Sequence, residues 1–356
     1  MTGPSPDGPR LAPPSDDGAV VPHDDPSRGD VSTTRLDGQA ALSTFSLEGR
    51  RVPALYLIGW AGSVMGLAVL LISFMATGGA AARWLFLGGL AILVVGLVAA
   101  AGSQAIERSR RTDLAYRGPS PVLTFVAAIA LTLVGVVVIL APLSALGLDA
   151  TAPLATTISL VVTLAAYVVV VRLLVVGPGA LTWAEMGIRR FDVDAVRELL
   201  TGALFAVPVL VVTIALSIVL GAFLERTPNP LPEARDLGGL ALNLLSAAIL
   251  APVGKELFFR GFATTAWVRS LGTARPAILR GAAFFALAHV LTLFDASFAT
   301  GAQRALFSFL ALLPVGIALG WLFLARRSLY AAIGLHAAFN ATQVIIAFAA
   351  ARTLGP

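Results

Sequence analysis

A chain of 356 residues that is 57% hydrophobic, only 13% charged and +5 in formal charge, with a mean hydropathy of +0.87, carries more apolar surface than a soluble domain of that length can bury. Composition therefore excludes a soluble globular protein and leaves a polytopic membrane protein, for which no nucleic-acid partner is expected. The absence of cysteine rules out disulfides, thiolate metal sites and a cysteine nucleophile.

Residues 1–50 differ from all that follows. Seven prolines fall between Pro4 and Pro26, Asp16, Asp17, Asp24 and Asp25 cluster without apolar periodicity, and eight acidic residues stand against four basic ones. This stretch is expected to be a disordered, polar, Pro-rich tail. It lacks the basic start and apolar core of a secretory signal peptide. From Ala54 onward, apolar runs recur at about 20 residues, the length a helix needs to cross a bilayer. The expected spans are 54–76, 84–104, 121–146, 154–176, 201–223, 237–259, 276–294, 303–324 and 329–350. The expected fold is all-α, a polytopic transmembrane helical bundle of about nine spans, four in residues 51–178 and five in residues 179–356. Between the fourth and fifth spans, Ala180 to Leu200 mixes Trp183, Met186, Ile188, Phe191, Val193 and Val196 with charges, and an interfacial helix is expected there.

Arginine in the short connections sets the expected orientation. Alternate connections hold fourteen arginines (among them Arg108, Arg110, Arg111, Arg117, Arg189, Arg190, Arg269, Arg326 and Arg327) against five in the others (Arg83, Arg226, Arg235, Arg304 and Arg352). The N-terminus is therefore expected in the cytoplasm and the C-terminus outside. The expected location is a cell membrane, and the heavy use of Ala, Gly and Arg suggests a bacterial plasma membrane.

Ionisable residues inside apolar spans are expensive and are functional candidates by default. Three spans carry the candidates. Lys255, the only lysine, precedes Glu256 and Arg260 on one span; Phe285 and His289 lie on the next; His336 and Asn340 lie on the last. Glu256 with Arg260, Phe285 with His289, and His336 with Asn340 are each four residues apart, the spacing that shares a helix face. They are expected to meet in one polar pocket in the cytoplasmic half of the bundle. Taken singly, Glu256 and Arg260 read as a buried ion pair, each histidine as an interhelical hydrogen-bonding residue, Phe285 as core packing and Asn340 as interhelical glue.

In combination these residues resemble the CPBP family of intramembrane proteases, which includes the type II CAAX prenyl proteases. The family pattern is Glu-Glu-x-x-x-Arg, Phe-x-x-x-His and His-x-x-x-Asn, each on its own transmembrane helix. Ala251-Pro252-Val253-Gly254-Lys255-Glu256-Leu257-Phe258-Phe259-Arg260-Gly261 resembles the first, Phe285 to His289 matches the second, and His336 to Asn340, preceded by Ser328-Leu329, matches the third. The resemblance runs from about Trp183 to Ala350 and leaves the first four spans and the tail largely outside. One departure stands out: where the family has its first glutamate, this chain has Lys255.

The resemblance implies an intramembrane endopeptidase that hydrolyses a peptide bond of a membrane protein or peptide through an activated water. In it the glutamate position and His289 share the water, while His336 and Asn340 donate to the oxyanion; Glu256, His289, His336 and Asn340 are the candidate catalytic set, with Lys255, Arg260 and Phe285 in support. An ammonium cannot accept a proton, so Lys255 would serve as base only as a neutral amine. The alternatives are a catalytically inactive relative that binds a partner helix or peptide in the same pocket and, less favoured, a proton-coupled transporter. No cofactor is expected. Zinc on His289, His336 and Glu256 is the weaker alternative, because no His-Glu-x-x-His helix is present and the Lys255 ammonium opposes a cation.

Overall fold

The computed structural model describes residues 44–47, 50–75, 79–228, 231–290 and 297–353. Most of the expected tail lies outside them; at its edge Thr44–Leu47 (β1) pairs antiparallel with Arg50–Pro53 (β2). The remaining elements are helices: α1 Ala54–Met75, α2 Gly79–Ser109, α3 Pro121–Ala145, α4 Pro153–Val176, α5 Val193–Leu220, α6 Leu237–Leu271, α7 Ala274–Val290, α8 Phe298–Arg326 and α9 Leu329–Thr353. All but α7 are long and apolar enough to cross a membrane. α7 has 17 residues, and residues 291–296, which follow it, lie outside the described set. The chain is thus the all-α membrane bundle expected from its apolar runs.

Local chemistry explains where several helices begin. Pro121 and Pro153 open α3 and α4 in the first turn, where a missing N–H breaks no intrahelical bond. Asp192 caps α5 by accepting from the Ala195 N–H, and Asp236 caps α6 by accepting from the Gly239 N–H. The Asp192 cap also decides the fate of the expected interfacial helix, which does not form. Residues 177–192 are turns, broken at Gly179 and Gly187, both at φ +77°, and Val193 to Leu200 are the first two turns of the membrane helix α5. The apolar residues read there as one amphipathic face instead divide between a packed loop, where Met186 is fully buried, and the helix start. That loop is tied down: Leu329 N–H donates to Gly187 O (3.0 Å), and Arg269 Nη2 donates to Glu185 Oε1 (2.6 Å). The Thr182 N–H, with the Arg269 guanidinium, holds the Glu185 carboxyl below the usual range.

Small residues let helices approach closely, the expected mode of association in lipid. A Cβ at Gly202 of α5 would strike Ala331 O of α9, and one at Gly334 of α9 would strike Leu199 O of α5. Gly202→Leu is therefore expected to destabilise the bundle by about 1–3 kcal/mol or more. Thermal unfolding in detergent checks it, and an unchanged midpoint would mean that α5 and α9 do not touch here.

The helix that organises the site is α6. It alternates α-helical stretches with wider π-helical ones at Leu245–Leu250 and Leu257–Thr264, a form that recurs at functional sites. The first four helices are not all peripheral to it. Phe125 of α3 meets Phe258 and Phe259 of α6 at ring distances of 5.6 and 5.5 Å, Tyr167 of α4 meets Phe258 at 5.1 Å, and Thr157 of α4 hydrogen-bonds Ser246 of α6 at 2.8 Å.

Candidate active site

Lys255 and Glu256 are neighbours on a short α-helical stretch of α6, Ala251–Glu256, and successive residues on such a helix point about 100° apart. The consequence is a division of labour between two helices. Lys255 faces α7, where its Nζ lies 2.9 Å from His289 Nε2. Glu256 faces α9, where its Oε1 lies 2.6 Å from His336 Nδ1.

The Glu256 side is interior. Arg260, one turn on, donates from Nη1 to the same Oε1 (3.1 Å) and from Nη2 to Gly316 O of α8 (3.2 Å). Glu256 and Arg260 are 0% and 1% exposed, and His336 is 3% exposed. A carboxylate so enclosed, shared between a guanidinium and an imidazole, pins α6 to α8 and α9. It is not turned toward His289, which is what the base of the expected mechanism would require.

The Lys255 side is half-buried, so a ligand can reach it. His289 Nδ1 lies 2.7 Å from Phe285 O, and a carbonyl only accepts, so Nδ1 carries a proton. In a neutral ring Nε2 then has the lone pair, and Lys255 Nζ is the donor to it. The backbone carbonyl one turn back thereby sets both the tautomer and the direction of His289.

Phe285 joins the two sides. Its ring lies 4.5 Å from the His289 ring and 5.8 Å from the His336 ring, and the Arg260 guanidinium sits over its face at 4.3 Å. The residue is 1% exposed. Phe285→Ala is expected to cost about 3–5 kcal/mol of stability, and His289→Ala clearly less, because His289 is half-buried. Thermal unfolding of both variants in detergent checks this, and a larger loss for His289→Ala would reverse the assignment.

Asn340 is drawn elsewhere, to a partner that sequence reasoning missed. Its Nδ2 donates to Ala247 O (2.8 Å) in the first π-helical stretch of α6. In that stretch the Ala251 N–H reaches back five residues to Ser246 O, so the next donor, for Ala247 O, would be residue 252. That residue is Pro252, which has no N–H. Asn340 therefore fills a carbonyl that proline leaves open, and the Ala-Pro pair before Lys255 was the signal that could have revealed it.

The candidate zinc ligands are engaged with other groups in this structure. Glu256 Oε1 and His336 Nδ1 are spent on each other, and His289 accepts from an amine. Among the described residues, no group of three or more His, Cys, Asp or Glu side chains could hold a metal ion. Two cavities lie away from the cluster. One of about 250 Å³ lies between the start of α6 and the end of α9, lined by Asn243, Val344 and Phe348 among others; one of about 510 Å³ lies by the loop before α3, lined by Asp113, Arg117 and Arg269 among others.

Residues 237–342 match the family model described as type II CAAX prenyl endopeptidase Rce1-like. No curated protein and no solved structure matches the chain. The match spans α6 to the middle of α9, including every candidate residue, and bears out the resemblance read from the three motifs.

Proposed function

We propose that this chain, whose membrane-embedded core matches the type II CAAX prenyl endopeptidase model over residues 237–342, is a slow intramembrane endopeptidase that hydrolyses a peptide bond of a membrane protein or peptide. The observation that carries this reading is the gathering of the three motifs around Phe285, with His289 held in one tautomer and its Nε2 on the half-buried side. In the proposed reaction a water enters between Lys255 and His289. His289 Nε2 takes its proton as the water oxygen attacks the peptide carbonyl, and Lys255 Nζ gives an N–H to the developing oxyanion. His336 stays paired with Glu256 in the interior and holds α9 against α6 beside the site. Collapse of the tetrahedral intermediate breaks the C–N bond, and the imidazolium of His289 returns the proton to the leaving amine. No metal takes part. The Arg-rich connections support a site in the cytoplasmic half of the membrane, and the heavy use of Ala, Gly and Arg supports a bacterial plasma membrane.

Slowness follows from Lys255. With the family's carboxylate replaced, the proton acceptor on the accessible side among the described residues is an imidazole whose lone pair already receives an amine N–H. That same contact favours the second reading, a relative that binds a peptide without cleaving it. Cleavage of a membrane-peptide library by the full chain reconstituted in lipid tests the first. Weak cleavage that His289→Ala removes supports it; no cleavage by wild type or by Lys255→Glu sinks it.

A further inference from the structure

We propose that the Lys255–His289 face binds a carboxylate carried at the end of an apolar chain. For a peptide carboxylate this rests on the peptide-engaging pocket proposed above; the charge argument stands without it. Lys255 and Arg260 bring two cationic groups to this part of α6, and Glu256 brings one anionic group, which Arg260 and His336 already share in the interior. Among the described residues, the hydrogen-bonding neighbour of the Lys255 ammonium is a neutral imidazole. An ammonium has three N–H donors, so two remain after the His289 contact. A charge at this depth is costly unless it is paired.

The missing partner must meet three conditions. It must be a single negative charge, since a dianionic phosphate would replace one uncompensated charge by another. It must be an acceptor small enough to meet the remaining N–H donors of one Nζ. It must arrive through lipid or along a helix groove, because Lys255 lies within a membrane span, which calls for an apolar carrier. A carboxylate satisfies all three. Two sources share this chemistry: the C-terminal carboxylate of an apolar peptide, including one released by hydrolysis at this same site, and a fatty acid.

The test uses the full chain in lipid nanodiscs and one dansylated apolar peptide prepared both as the free acid and as the C-terminal amide, with binding followed by fluorescence anisotropy. The acid is expected to bind about tenfold more tightly, the effect of one charge-assisted contact. Lys255→Met should erase the difference and Lys255→Arg should keep it. Oleate added in competition distinguishes the sources: displacement of the peptide acid identifies the acyl carboxylate as sufficient, and no displacement identifies the peptide terminus. Equal binding of acid and amide by wild type, or a preference that survives in folded Lys255→Met, overturns the proposal. The wild-type comparison decides alone if Lys255→Met does not fold. Acid-selective binding with no cleavage of any library peptide would refute the endopeptidase and leave the carboxylate site standing, whereas cleavage without acid selectivity would do the reverse.

Discussion

Lys255→Glu is expected to raise peptide cleavage by about 100-fold or more, the scale of a positioned general base. Position 255 faces His289 across α6 and α7 at hydrogen-bond distance, so a carboxylate there would share a water with His289 Nε2 and accept its proton, which an ammonium cannot do. The change also removes the donor that now occupies the imidazole lone pair. Because Lys255 is only half-buried, the shorter glutamate side chain should be accommodated without loss of fold. The measurement is the rate of product formation, by mass spectrometry, for wild type, Lys255→Glu and Lys255→Glu with His289→Ala in lipid, and the double variant should fall back by a similar factor. Fast cleavage by wild type that Lys255→Glu abolishes would make the lysine itself the working group and overturn the view that it replaces a better base.

Arg260→Ala should be as damaging to stability as Phe285→Ala, at about 3–5 kcal/mol, because it leaves the fully buried Glu256 carboxylate without its guanidinium and takes the cation from the face of Phe285. Replacing both partners, as Glu256→Gln with Arg260→Met, should recover much of that loss, since removal of an entire buried pair is far cheaper than removal of half of one. Thermal unfolding in detergent reads both. The same proteins separate structure from chemistry: if the double variant folds and still cleaves at a rate within a few-fold of wild type, Glu256 holds the bundle together, and if it folds but has lost all cleavage, Glu256 takes part in the reaction and its position beside His336 has been read too narrowly.

Much was legible in the residues alone because membrane physics makes sequence unusually explicit. A helix in lipid must satisfy its own backbone, so the apolar runs beginning at Ala54, Pro121, Pro153, Leu237 and Leu329 declared themselves as helices, and polar side chains within them had no cheap alternative to facing one another. The order of Glu256, Arg260, Phe285, His289, His336 and Asn340 on three spans was enough to anticipate the family match over residues 237–342. Periodicity could also say that Lys255 and Glu256 point in different directions, since that follows from the helix itself.

Which of the two faces His289 was decided only by the packing. The rotation of α6 between α7 and α9 depends on its two π-helical stretches and on contacts from Phe125 and Tyr167, far away in the chain, and spacing along one helix carries no information about its rotation against others. Likewise the Pro252 gap at Ala247 O, which draws Asn340 away from His336, arises from a local widening of the helix that residue identities do not announce. The interfacial helix failed for a related reason: Gly179, Gly187 and the Asp192 cap are strong local signals, but whether Met186 and its neighbours would lie in the headgroups or bury themselves under α6 depended on the long-range contacts of Leu329 with Gly187 and of Arg269 with Glu185. Sequence determined which groups must be hidden from lipid, because that cost is paid residue by residue; tertiary structure decided which of them meet, because pairing depends on helix rotation, and rotation is a property of the whole bundle.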